Sequence, residues 1–227
     1  MQVIERRGPQ PRGIATRKRI IRGAAQLFAD RGYDKTSIRD IQDQADVKKG
    51  ALYHHFPSKA AIAAAVVEAG FEQESVVGQV PRLQDIIDAG MVLAYRTPRE
   101  FEVRAAARLA TEQDHEFFGA LWKGYIPMVA DLFRQADELG ELLPGVHYEH
   151  TSRVWVATFT GIDLMLRNER TPGVLEGEAA IMFQTLTRGV ATPETMSHLD
   201  LAVDRGARLV KAASLGLVQA YEAGQAK

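Results

Sequence analysis

The stretch Thr36-Ser37-Ile38-Arg39-Asp40-Ile41-Gln42-Asp43-Gln44-Ala45-Asp46-Val47-Lys48-Lys49-Gly50-Ala51-Leu52-Tyr53-His54-His55-Phe56-Pro57-Ser58-Lys59 reads as two short helices joined by a tight turn. Thr36 offers a capping oxygen to the first helix, whose apolar residues Ile38, Ile41 and Ala45 share one face. The second covers 48–54, with Val47, Leu52 and Phe56 as its apolar anchors. Ala45 is small where two helices cross, and Asp46 takes the turn position that favours a left-handed backbone. Val47 is expected to plug the core beneath. Pro57 breaks the chain, and Ser58 caps a further helix through Ala69. Two helices joined in this way make a helix-turn-helix, whose second member enters the major groove of DNA.

Upstream, Thr16 can cap a helix in which Ile20, Ile21, Ala24, Leu27 and Phe28 recur at helical spacing and which stops at Arg31-Gly32. Residues 1–13, with Arg6, Arg7 and Arg12 among Gly8, Pro9, Pro11 and Gly13, read as a flexible basic arm. Downstream, the spacing predicts helices over 83–95, 99–112, 115–138, 149–169, 175–190 and 194–220, punctuated by Pro98, Gly140, Pro144, Pro172 with Gly173, and Pro193. No alternating strand pattern or internal repeat competes, so the class is all-α: a three-helix helix-turn-helix domain over 14–65 and a larger helical domain over 66–227.

Charge supports this division. Residues 1–59 hold 13 Lys/Arg against 6 Asp/Glu, a balance of +7, on a chain whose formal net charge is -1. A basic module on an acidic body confines any polyanion partner to the module. Gly50 lets the backbone approach DNA, and Lys48 and Lys49 place two cations on the first turn of the recognition helix. With no cysteine, the chain has neither a disulfide framework nor a thiol nucleophile. No apolar run approaches a membrane span, so a cytoplasmic protein without a membrane partner is expected.

These residues give the module its resemblance. The runs Thr36–Ile41 and Ala45–Lys59 resemble the TetR family of bacterial transcriptional regulators over roughly residues 14–70. The resemblance implies a homodimer on an operator with inverted half-sites, and a C-terminal domain that binds a small effector. It also implies phosphate contacts from Thr36 and Ser37, from Tyr53 and His54 on the recognition helix, and from Lys59. His55 reads better as a packing residue with a polar tip. Two positions depart from the family pattern: Asp46 stands where Gly is usual, and Lys48, where Ser or Thr is usual, removes a helix cap while adding a cation.

The body carries a second resemblance. Arg104-Ala105-Ala106-Ala107-Arg108-Leu109-Ala110-Thr111, followed by Trp122, is similar to the γ-butyrolactone autoregulator receptor branch of the family. There a tryptophan of the long central helix lines the pocket for a signalling lactone. Trp122 reads equally as pocket wall and as core residue. Tyr95, Gln113 and Thr158 are further pocket candidates from neighbouring helices, with Trp155 and Phe159 as possible aromatic walls. A furan carboxylate effector would need a cation such as Arg104 or Arg108. A cationic-drug effector, as in an efflux regulator, would draw on Glu112 or Asp163. A receptor with no dedicated ligand is the remaining alternative.

Enzyme chemistry has no foothold: there is no Gly-rich phosphate loop, nucleophile elbow or H-E-x-x-H helix, and no cofactor is expected. His147 and His150 lack a clear third metal ligand. Helices 149–169 and 194–220 carry apolar faces beyond what one body needs, through Trp155, Phe159, Leu164 and Leu166 on one and Leu199, Val203, Leu209 and Val210 on the other. They are expected to form a two-fold four-helix interface.

Overall fold

A computed structural model describes residues 11–71, 80–112, 115–169 and 171–215. These residues form eleven helices: α1 (Pro11–Arg31), α2 (Ile38–Ala45), α3 (Lys49–His55), α4 (Lys59–Phe71), α5 (Leu83–Arg96), α6 (Phe101–Thr111), α7 (Ala120–Glu138), α8 (Tyr148–Met165), α9 (Val174–Thr187), α10 (Pro193–His198) and α11 (Arg205–Ser214). An isolated β-bridge pairs Leu142 with Ala191. The class is all-α, as read from the sequence. Two compact units emerge, α1–α4 with α6 in one and α5 with α7–α11 in the other. The division expected at residue 65 follows the chain. The packing does not, because α6 lies against α1 and α4.

In the first unit, α1 buries Ile20, Ile21, Ala24 and Phe28 on one side. It begins at Pro11, within the expected arm, so Thr16 is not its cap. Thr16 instead donates its hydroxyl back to the Arg12 carbonyl (3.0 Å). The α1 helix stops at Gly32 (φ 83°), whose N–H reaches the Phe28 carbonyl. Ser37, not Thr36, caps α2: its Oγ accepts from the Asp40 N–H, and the Asp40 carboxylate accepts from the Ser37 N–H. Asp46 closes α2 at φ 49°, ψ 57°, the left-handed conformation that its place in the turn demands. Ser58 accepts from the Ala61 N–H at the start of α4. Where α4 meets α6, a β-carbon on Gly70 would collide with the Glu102 carbonyl and the Ala106 methyl, so glycine sets how closely these helices pack.

The second unit is built on a core that includes Leu83, Ile87, Met91, Phe133, Trp155 and Phe183. Trp155 meets Phe133 edge-on at 5.1 Å and Phe183 at 5.5 Å. Only 3% exposed, it packs in the core and offers no outer face to a second protomer. Glu141 is buried and accepts from the N–H groups of Arg82 and Leu83, capping α5 with a carboxylate from far along the chain.

Two expected helices differ in extent. The one predicted over 115–138 begins only at Ala120, after a turn that ends at Gly119 (φ 75°). The one predicted over 194–220 is broken after His198 and resumes at Arg205; its expected end lies outside the described residues. The break has a tertiary cause: Gln84 of α5 accepts from the Asp200 N–H (2.7 Å) and donates to its carbonyl (3.1 Å), taking both groups from the helical ladder. The α11 helix then packs on α5, with Arg205 making a bidentate pair (2.8 and 2.6 Å) with fully buried Asp88.

Candidate nucleic-acid interface

The α2–turn–α3 unit presents an exposed face with Lys48, Lys49, Tyr53 and His54 on the recognition helix. Lys48 precedes α3 in an extended conformation, and its side chain is exposed. Gly50 has no neighbour within 4 Å of where a β-carbon would sit, so the backbone stands open to an approaching surface. A shallow groove between α2 and α3 is lined by Ile38, Arg39, Gln42, Asp43, Val47, Lys49 and Tyr53. Asp40, held by the Ser37 backbone N–H and then by its hydroxyl, has its carboxyl lowered below the ordinary aspartate value.

Behind this face two residues turn inward. Thr36 is 1% exposed and donates its hydroxyl to the Gly32 carbonyl at 2.8 Å. The Lys59 ammonium donates to the carbonyls of Tyr33 (3.0 Å) and Thr36 (3.1 Å), and lies 3.9 Å from the Tyr33 ring centroid. Burial, then the Glu116 and Asp34 carboxylates, raise the Tyr33 phenol above its ordinary value, keeping it neutral. The rings of His54 and His55 meet edge-on at 5.2 Å; His54 is exposed and His55 half-buried.

In the second unit, Trp122 of α7 is half-buried and its Nε1 donates to Thr160 Oγ1 of α8 at 3.3 Å. Tyr95 lies under the Arg99 guanidinium (3.9 Å), which also pairs with buried Glu176 at 2.6 Å. Thr158 donates to the Val154 carbonyl, one turn back on its own helix. Gln113 lies outside the described residues. Among the described residues no group of three or more His, Cys, Asp or Glu is placed to hold a metal ion.

A family model described as bacterial regulatory proteins, tetR family, matches residues 20–66, which span α2, α3 and most of α1 and α4. The chain is also 32% identical over 197 residues to the A-factor receptor protein of Streptomyces griseus, covering 84% of this chain and 69% of that protein. The chain belongs to the TetR family. The crystal structure of full-length native TylP, a TetR regulator from Streptomyces fradiae, superimposes with a TM-score of 0.79 at 31% identity, covering 89% of this chain and 99% of TylP. A γ-butyrolactone receptor (ArpA-like protein) shares the fold, with a TM-score of 0.65 at 22% identity over 89% of this chain and 99% of the other. The protein is thus a TetR-type transcriptional repressor, a DNA-binding regulator and not an enzyme.

For a TetR regulator, this geometry changes the residue set read from the sequence. Lys48, Lys49, Gly50, Tyr53 and His54 stand together on the outer face with Ser37 at the head of α2. Thr36 leaves the set because its hydroxyl is buried and engaged. The Lys59 ammonium spends two of its three N–H donors on the turn before α2, which makes it a brace. Val47, expected as a plug, is half-buried and floors the groove. Arg39 and Gln42 were missed, although their three-residue spacing already placed them on one face of α2. Thr158 spends its hydroxyl proton on its own helix, so toward a ligand it could act only as an acceptor. Arg108 and Glu112, considered for an effector's charge, pair with each other at 2.9 Å and hold α1.

Proposed function

We propose that this regulator is a homodimer that holds a palindromic operator through Lys48, Lys49, Gly50, Tyr53, His54 and Ser37, with Arg39 at the groove's edge. It releases DNA when a small oxygenated effector of the γ-butyrolactone or furan class fills the second unit. The observation that carries this reading is the extent of the likeness to the A-factor receptor: 197 residues, far beyond the helix-turn-helix and through the unit where effectors are distinguished. Trp122 supports it, with an indole half-open on one side and oriented by Thr160 on the other. Release follows from linkage: an effector that prefers the conformation with mis-spaced recognition helices weakens operator binding by the factor with which DNA weakens effector binding. Repression of this kind takes place in the cytoplasm; no described helix is long and apolar enough to cross a membrane.

The dimer forms through α8 and α9. On α8, Val154, Gly161 and Met165 (79% exposed) lie along one outer face, and Ile181 (58% exposed) continues it on α9. Space above Gly161 and Gly177 is open, leaving room for a second helix pair to approach closely. This reading sets α9 beside α8 in place of the expected 194–220, whose α11 lies against α5 on one side. The test is selection of duplexes from a random-sequence library by the full-length protein, followed by titration with an alkyl-substituted γ-butyrolactone. An inverted repeat released by the lactone supports the reading; duplexes without two-fold symmetry contradict the dimer model, and failure of release contradicts the effector class.

A further inference from the structure

The α6 helix carries a guanidinium and a carboxylate one turn apart, and both are directed at the end of α1. Arg108 Nε donates to Glu112 Oε1 at 2.9 Å, and its Nη1 donates to the carbonyls of Ala29 (3.2 Å) and Asp30 (3.0 Å), which lie in the last turn of α1. The other oxygen of Glu112 accepts the Tyr33 N–H at 2.9 Å, the first amide beyond Gly32. A helix end leaves its last carbonyls without intrahelical partners, so a planar donor placed there supplies what the helix lacks. Gly32 suits this turn because its φ of 83° is left-handed, and the tip of the Glu112 side chain lies where a β-carbon would sit. Arg108 and Glu112 side chains are each about a quarter exposed (24% and 22%), shielded enough for these bonds to hold against water.

We infer that Arg108 and Glu112 form a two-sided clamp that positions the recognition unit: the cation grips the α1 carbonyls, the anion grips the Tyr33 amide, and together they fix the turn that delivers Ser37 to the head of α2. Lys59 grips the same turn from α4, through the Tyr33 and Thr36 carbonyls, while His115 and Phe117, beyond α6, pack on the Tyr33 ring at 4.7 and 5.9 Å. The turn therefore has little freedom of its own, and a displacement of α6 breaks the donor and acceptor halves at once. Arg108 and Glu112 are positioning residues for operator binding, a role that rests on the proposed function and deepens it.

The test uses full-length protein and a fluorescent duplex selected by the wild type from a random library. Arg108→Met should bind it about tenfold more weakly, with the slope of affinity against salt unchanged because no phosphate contact is lost. Glu112→Gln, which retains an acceptor for the Tyr33 N–H, should lose only about threefold. The exchange Arg108→Glu with Glu112→Arg should fail to rescue, since a carboxylate cannot donate to the Ala29 and Asp30 carbonyls. Amide exchange on the free Arg108→Met protein should accelerate at Tyr33 and Ile41 and stay unchanged in α5 and α9. Wild-type affinity, a flattened salt slope, rescue by the exchange, or uniform loss of protection would each overturn the clamp. If the wild type selects no duplex, the proposed function fails by itself, and exchange at Tyr33 and Ile41 still decides the clamp.

Discussion

At the scale of single residues, the proposed grip of the recognition helix on DNA rests on charge. Replacing Lys48 and Lys49 by Ala should weaken operator binding and reduce the log–log salt slope by roughly one unit per lost phosphate contact, measured by anisotropy over a salt series. Trp122→Ala removes a half-buried indole. The variant should stay folded and bind operator, while effector affinity falls roughly ten- to a hundredfold, on the order of 1.5–3 kcal/mol of lost burial. A stability loss of about 3–5 kcal/mol in thermal melting would instead mark Trp122 as a core residue. Trp155, packed between Phe133 and Phe183, is where a loss of that size belongs.

At the scale of elements, helix ends and crossings decide what the sequence could and could not tell. Spacing located α1, α2 and α3, because Ile20, Ala24, Phe28, Ile41, Leu52 and Phe56 are both periodic and buried, while Pro57 and Ser58 marked the start of α4. It could not choose between Thr36 and Ser37 as the cap of α2: both carry a hydroxyl, and the choice is made by Gly32, whose carbonyl takes the Thr36 donor. Nor could it foresee that 194–220 breaks near Asp200, where no Pro or Gly stands and the partner is Gln84, more than a hundred residues away. Lys59 and Arg108 look like free cations in the sequence, and only tertiary packing shows the carbonyls they serve. Ser37→Ala should cost about 1 kcal/mol in urea unfolding, and Thr36→Ala should loosen the turn without removing the cap. Asp40 titrates below its ordinary value when folded, so its contribution to stability is full above the unfolded carboxylate pKa and is lost as pH falls through the folded one. The melting difference between wild type and Asp40→Asn should accordingly shrink as the solution is acidified through that range. Arg205→Met, which removes the cation from the buried Asp88 carboxylate while the Gln84 amide still donates to it, should destabilise the second unit by about 3 kcal/mol.

At the scale of the whole molecule, a basic helix-turn-helix unit and an acidic helical unit divide the work of a repressor between DNA and effector. The exposed face shared by α8 and α9 predicts that Ile181→Glu, placing a charge in the proposed interface, yields a monomer by sedimentation and lowers operator affinity at least tenfold, because two half-sites no longer bind as one. A dimer unaffected by that change would move the interface elsewhere. The central claim is that one protein couples an operator to a lactone-class effector, and its most direct measurement is the anisotropy of a fluorescent, protein-selected duplex as an alkyl-substituted γ-butyrolactone is added. Saturable decline to the value of free DNA is the predicted result; anisotropy unchanged up to the solubility limit of the lactone would contradict it.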